Sequence, residues 1–220
     1  MFAGILTLWG QYFGNFLGGL GISLEITVAG LAFALVAGAG FAALRLARFR
    51  VLRLIGTAYV EVVRATPMLL VLYIMYFGLG QVGIKLPAYW AAVIALGTFY
   101  AAQFTEIFRG GIQSVDRGQR EAADALGLSR WQRLRKVVLP QAVMTILLPS
   151  TNALADIIKD SSLVITIGLS DLMARTYEAT SATFEPMDMF LLAGVMYLVV
   201  YLLLSRVLGR LELNVQRRHG

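Results

Sequence analysis

Seven ionisable residues stand within or at the ends of long apolar runs: Glu25, Glu61, Arg64, Glu106, Asp156, Lys159 and Asp160. Charge placed in a lipid-spanning segment is costly and marks a functional position by default. A three-residue spacing recurs in Glu61/Arg64, Glu106/Arg109 and Asp156/Lys159. That spacing puts both members on one face of a helix, where they can pair. One chemistry open to them is recognition of a zwitterion, with a carboxylate for the ammonium and a cation for the carboxylate. The other reading is that each pair neutralises itself, or reaches water by snorkelling. Glu61/Arg64 and Glu106/Arg109 lie near helix ends and fit the second reading better. Asp156, Lys159 and Asp160 lie deeper and fit a path or gate. Covalent or hydrolytic chemistry has no candidate. The chain has no cysteine and one histidine, His219, in a basic tail. It has no G-x-x-x-x-G-K-[ST] phosphate loop, no catalytic triad and no cluster of metal ligands.

The elements that position these residues are membrane helices. Of 220 residues, 58% are hydrophobic, and the mean hydropathy is +0.72. A soluble domain is about half apolar or less. A bilayer core needs about 20 apolar residues per helix. Long Leu/Val/Ala/Ile runs exclude a β-barrel, which would show short alternating segments. Five spans are read, at roughly 20–44, 55–79, 88–108, 140–158 and 189–208. The fold class is an all-α polytopic membrane protein in one domain over residues 1–220.

Cations fix the orientation. Arg45, Arg48, Arg50 and Arg53 follow the first span, and Arg109, Arg117, Arg120, Arg130, Arg133, Arg135 and Lys136 follow the third. Arg206, Arg210, Arg217 and Arg218 follow the fifth, whereas the opposite loops hold only Lys85 and Arg175. With five spans all the first set faces the cytoplasm, which puts the N-terminus outside and the C-terminus inside. The net charge of +6 therefore belongs to loops and does not point to nucleic acid, which needs a clustered basic face on a folded domain. No removable signal peptide is expected. Small residues recur every four positions at Gly10, Gly14, Gly18 and at Ala34, Gly38, Ala42. The second set reads as packing within the chain.

Thr66-Pro67 interrupts the second span, either as a kink with Thr66 satisfying a freed group or as a cap with Pro67 in the first turn. Either way it is a candidate hinge. Tyr73, Tyr76 and Phe77 follow at helical spacing and read as packing or interface anchors.

The segment at about 116–138 is too charged to span. Glu121 to Leu126 are good helix formers, and Gly127 can take the left-handed conformation that ends a helix. Ser129 with Gln132 forms a capping-box pattern that starts a second helix. Leu139-Pro140 then suits the start of the fourth span. The result is a pair of short helices carrying Leu126, Leu128 and Trp131 into the cytoplasm.

This segment resembles the EAA motif of ABC-importer permeases. Glu121-Ala122-Ala123, Gly127, Val137 and Leu139-Pro140 match it with every spacer. The resemblance runs over about Gly18 to Arg206 and is strongest to the polar amino-acid subfamily, which serves His, Arg, Gln, Glu and opines. Glu61 to Leu70, Glu106 to Ile112, Gly118-Gln119 and Lys159 to Leu163 carry it. Gln103, where an aromatic residue is usual, and Asp156 depart from the pattern.

The resemblance implies a type I importer fold in the bacterial inner membrane. It makes Glu121, Ala122, Ala123, Gly127, Leu128, Trp131, Leu139 and Pro140 the docking element for ABC ATPase subunits, which would carry ATP and Mg; this chain would bind no cofactor. It implies a second permease, identical or similar, and a binding protein outside that meets the loop from Gly168 to Asp188. Arg64, Thr66, Pro67, Gln103, Glu106, Asp156, Lys159, Asp160 and Ser161 are the candidates for a substrate path or gate. The rival reading is a secondary transporter driven by an ion gradient, which would usually show internal repeats and more spans.

Overall fold

The computed structural model describes the backbone of residues 2–219 and the side chains of residues 7–207, 209 and 210. The side chains of Arg217, Arg218 and His219 lie outside the described residues. Eight helical elements follow one another: α1 (Phe2–Arg45), α2 (Arg50–Arg64), α3 (Met68–Gln81), α4 (Ala88–Ser114), α5 (Arg117–Ala125), α6 (Arg130–Ile167), α7 (Leu172–Thr183) and α8 (Pro186–His219). Among the described residues there is no strand. Four segments are long and apolar enough to cross a membrane: Thr7–Arg45, Ala88–Ser114, Arg130–Ile167 and Pro186–Val207. A fifth consists of α2 and α3 together, bent by 106°.

The bundle is built on α4. Ala91, Ala92, Ala95, Leu96, Tyr100, Ala101 and Phe104 of this helix are buried, and the core around them includes Ile26 and Ala34 of α1, Leu72 of α3, and Ala153, Ile157 and Val164 of α6. Small residues allow the close approach. A Cβ on Gly38 would sit 2.8 Å from Phe104 Cβ and 3.1 Å from the Ala101 carbonyl. Ala34 and Ala42, one turn either way, are also buried. The packing expected of this set is therefore formed within the chain. Gly10, Gly14 and Gly18 are exposed, and a Cβ added at any of them would meet nothing within 4 Å.

The second span is not one rod. The hydroxyl of Thr66 donates to the Val62 carbonyl at 2.8 Å, satisfying an acceptor at the end of α2. Pro67 is extended, with φ −60° and ψ 141°, and stands before the first turn of α3 rather than in it. Proline has no N–H to continue the ladder, so the chain breaks here and turns. A wide π-turn over Ile74–Gly78 follows within α3. Tyr73, Tyr76 and Phe77 pack edge-to-face around it.

The fourth span also differs from expectation. Leu139-Pro140 does not begin a helix, because α6 is continuous from Arg130. A π-turn over Leu134–Val138 precedes the proline. A wide turn makes room where the proline ring would clash with the carbonyl four residues back. Farther along, Pro149 lies inside the helix. Next to it, Ser150 and Thr151 donate to the Ile146 and Leu147 carbonyls at 2.8 and 3.2 Å. The helix continues beyond 158 and tightens to a 3₁₀ turn over Ser161–Ile167. The loop expected from Gly168 to Asp188 contains a helix of its own, α7.

Candidate functional site: a capped docking element and a charged cavity

The element between α4 and α6 is fixed at every end. Asp116 caps α5 by accepting from the Gly118 N–H at 2.7 Å. The helix closes with Leu128 N–H to the Ala123 carbonyl at 3.1 Å and Gly127 N–H to the Asp124 carbonyl at 3.0 Å. This Schellman pattern needs a left-handed residue, and Gly127 has φ +70°. Ser129 and Gln132 then form the reciprocal capping box at the start of α6. The expected second short helix is thus the first turn of α6 itself. An ion pair between Asp124 and Arg133 closes the angle between α5 and α6. Arg120 Nη2 donates to the Ile112 carbonyl at 2.5 Å and ties α5 to α4. Ala123 is buried in the angle, whereas Ala122 faces out.

What this frame presents is apolar. Leu126 is 80% exposed and Trp131 64% exposed, with Leu128 half-buried between them. Glu121, paired with Arg117 at 2.6 Å, is exposed beside them. Two large apolar side chains held out on a capped turn form an exposed apolar patch of the kind that marks an interaction site.

The other charges separate into structural and open groups. Glu106 accepts from Arg109 at 2.7 Å and from Arg45 of α1, clamping α1 to α4 at the arginine-rich end. Glu61 and Arg64 do not pair among the described residues; both are exposed on α2. The bend leaves Arg64 at the end of α2 rather than within a straight span. Gln103 is half-buried on α4 and makes no hydrogen bond among the described residues. Among the described residues no hydrogen bond or ion pair joins Arg64, Thr66 or Glu106 to the carboxylates of α6.

Asp156 and Lys159 pair at 2.7 Å and line a cavity of about 590 Å³ with Asn152, Tyr197, Leu198 and Tyr201. The cavity lies roughly 24 Å along α6 from Pro140 at 1.5 Å per residue. Asp160 faces elsewhere, accepting from the buried Tyr100 hydroxyl at 2.8 Å. Ser161 is buried and donates to the Ile158 carbonyl at 2.7 Å. Tyr100, Tyr197 and Tyr201 are not legible as site residues in the sequence, because tyrosines at helical spacing read as packing.

Asp171 is the buried charge that sequence reading passes over. It precedes α7 and accepts from the Ala174 N–H at 2.9 Å. Ser23 of α1 is beside it but donates to the Gly19 carbonyl at 3.3 Å, which leaves Asp171 Oδ2 buried with no partner. Burial pushes this carboxyl up to about 6, against the pull of the backbone N–H groups of Ala174 and Met173. An unfolded aspartate titrates near about 4. Below that pH both states hold the proton and stability is full. From about 4 to about 6 only the folded state holds it, so stability falls as pH rises and is flat above. Melting in detergent from pH 4 to 8 should show this fall. Asp171→Asn, which keeps the cap, should abolish it.

Comparisons with known proteins identify the family. Residues 11–217 match the family described as binding-protein-dependent transport system inner membrane component. The chain belongs to that family. This inner-membrane component is 39% identical over 190 residues to the arginine transport system permease protein ArtQ of Bacillus subtilis, covering 86% of this chain and 87% of the relative. It is 36% identical over 196 residues to the glutamine transport system permease protein GlnP of Escherichia coli K12, covering 88% and 90%. Among solved structures, a crystal structure of an amino acid ABC transporter with histidines superposes with TM-score 0.87 at 33% identity, covering 93% of this chain and 95% of that one. The MetNI methionine transporter superposes with TM-score 0.78 at 22% identity, covering 91% and 96%, which speaks for the fold alone. The type I importer fold read from the sequence is the fold of this inner-membrane component, and the five-span count stands once α2 and α3 are taken as one broken span.

Proposed function

We propose that this chain is the non-enzymatic, membrane-spanning permease of an ATP-driven importer for a polar amino acid. The exposed pair Leu126 and Trp131, on a turn locked by caps at both ends, carries this reading. An ATPase subunit would receive them in a groove, with Glu121 at the rim. The arginine-rich end would face the cytoplasm, with the N-terminus outside and the C-terminus inside. A second permease, identical or similar, would complete the path by two-fold or pseudo-two-fold symmetry. ATP and Mg would bind on the ATPase subunits. A binding protein would deliver substrate at the opposite end, where α7 stands.

The Asp156/Lys159 cavity would read the amino acid. A free amino acid can insert into the existing pair, with its ammonium on Asp156 and its carboxylate on Lys159. Asn152 and the tyrosine hydroxyls would then select among polar side chains. The sharp bend at Thr66-Pro67 would be the hinge of the gate.

Reconstitution with its ATPase and binding protein in liposomes tests the reading. Uptake of labelled arginine, glutamine or histidine should require ATP and persist when an ionophore collapses ion gradients. Uptake that ignores ATP and stops with the ionophore would overturn it in favour of a gradient-driven carrier.

A further inference from the structure

A second cavity, of about 760 Å³, lies at the arginine-rich end between α1, α4, α5 and the first turns of α6. Its wall changes character from one end to the other. Ala39, Ala43, Phe108, Val143 and Ile146 form an apolar part, and Arg120, Arg130 and Arg133 form the other. No acidic side chain is in the lining. The arginines are not all spoken for. Arg133 is paired with Asp124. Arg120 uses Nη2 on the Ile112 carbonyl, but its Nε is buried with no partner. Arg130 has no carboxylate within ion-pair distance among the described residues and is exposed. A buried guanidinium N–H without an acceptor is costly, and this wall sets that group beside the exposed, uncompensated Arg130. Ala39, Ala43, Leu139 and Val143 are exposed on the two membrane-crossing segments Thr7–Arg45 and Arg130–Ile167, where an acyl chain can reach them.

We infer that this cavity binds an anionic phospholipid of the adjoining leaflet, its phosphate on Arg120 and Arg130 and an acyl chain along Ala43 and Val143. The occupant is fixed by the two halves of the wall. A free anion would leave the apolar half uncovered, and a neutral lipid would leave the guanidinium groups uncompensated. A basic pocket between membrane helices on one side of the bilayer is the ordinary recognition mode for such headgroups. The location gives the lipid a consequence. It would touch α5 through Arg120 and α6 through Arg130, and so brace the frame that holds Leu126 and Trp131 out.

Native mass spectrometry of the full-length chain, extracted with its bound partners, tests this. Lipid is exchanged into nanodiscs of phosphatidylglycerol or of phosphatidylcholine, with inorganic phosphate as a third arm. The expected result is one retained phosphatidylglycerol per chain and no retained phosphatidylcholine. Retention should fall roughly fivefold for each arginine removed in Arg120→Gln and Arg130→Gln. Ala43→Phe, which narrows the apolar half, should release the lipid with both arginines intact. Arg130→Gln and Ala43→Phe alter exposed side chains, so they keep the test valid if Arg120→Gln does not fold. Equal retention of the two lipids, retention unchanged in Arg130→Gln and Ala43→Phe, or inorganic phosphate retained as well as phosphatidylglycerol would each overturn the inference.

Discussion

Leu126→Asp combined with Trp131→Ala should lower ATP-driven uptake by about 10²-fold or more, with the chain still inserted and folded. Truncating an anchor residue of a protein interface costs about 2–4 kcal/mol, and here two are removed and one is replaced by a charge. Neither side chain is needed by the chain's own core, because Leu126 is 80% and Trp131 64% exposed. Melting temperature should therefore change little, and the loss should appear as failure to retain the ATPase during purification. Glu121→Lys should act in the same direction but more weakly, since Glu121 is at the edge and already neutralised by Arg117. Gly127→Val tests the frame instead of the surface. A β-branched residue at φ +70° costs about 1–2 kcal/mol, which is enough to release the Schellman turn and misaim both anchors. Full uptake and full ATPase retention in the first double variant would mean that the element is not a docking surface.

The second large effect is expected at the charged cavity. Asp156→Ala and Lys159→Ala should each reduce uptake by about 30- to 100-fold without loosening the ATPase. Truncating one member of a buried charge pair costs about 2–5 kcal/mol, and the exposure of this pair puts the expected loss at the low end of that range. The Asp156 and Lys159 side chains are 47% and 64% exposed, so their own pairing adds little to stability. The exchanged variant Asp156→Lys/Lys159→Asp separates two roles. It remakes the i,i+3 pair but reverses the order of charges met by a substrate. If the pair is only structural, the exchange restores uptake. If it reads the amino acid, uptake stays low while folding and ATPase retention are normal.

The frame of the docking element is legible in the sequence because each part has a local cause. A left-handed position favours glycine, and Gly127 supplies it. A capping box needs Ser and Gln three apart, and Ser129/Gln132 form one. The packing of Ala34, Gly38 and Ala42 is legible for the same reason, since a small-residue face has few uses in lipid. The bend at Thr66-Pro67 is legible as a break but not as a turn of 106°, because proline removes a bond without setting the angle. That angle is set by what α2 and α3 pack against, which no local pattern contains.

Pairings across the bundle are not legible. Spacing offers Glu106 only Arg109, yet it also holds Arg45, 61 residues away. Asp160 stands next to Lys159 in the chain, yet its partner is Tyr100. Glu61 and Arg64 have the favourable spacing and do not pair, because each is exposed and gains little from doing so. Asp171 is invisible as a buried charge, since it stands in a polar stretch that reads as a loop. Pro140 reads as a helix start because the rule for first-turn proline is local. The π-turn at Leu134–Val138 offers a second way to seat it, and α6 takes that way.

The docking role proposed for the turn between α5 and α6 requires an ATPase subunit to be seated on it. Site-specific photo-crosslinking reads that contact directly. A photoreactive residue is placed at position 126 in the full chain, in its native membrane, with another at position 184 on the opposite end as a control. Position 126 should crosslink to an ATPase subunit, position 184 should not, and the crosslink should weaken in Gly127→Val. If position 126 crosslinks only to lipid, or to no ATPase while uptake is intact, the docking role of this turn is refuted.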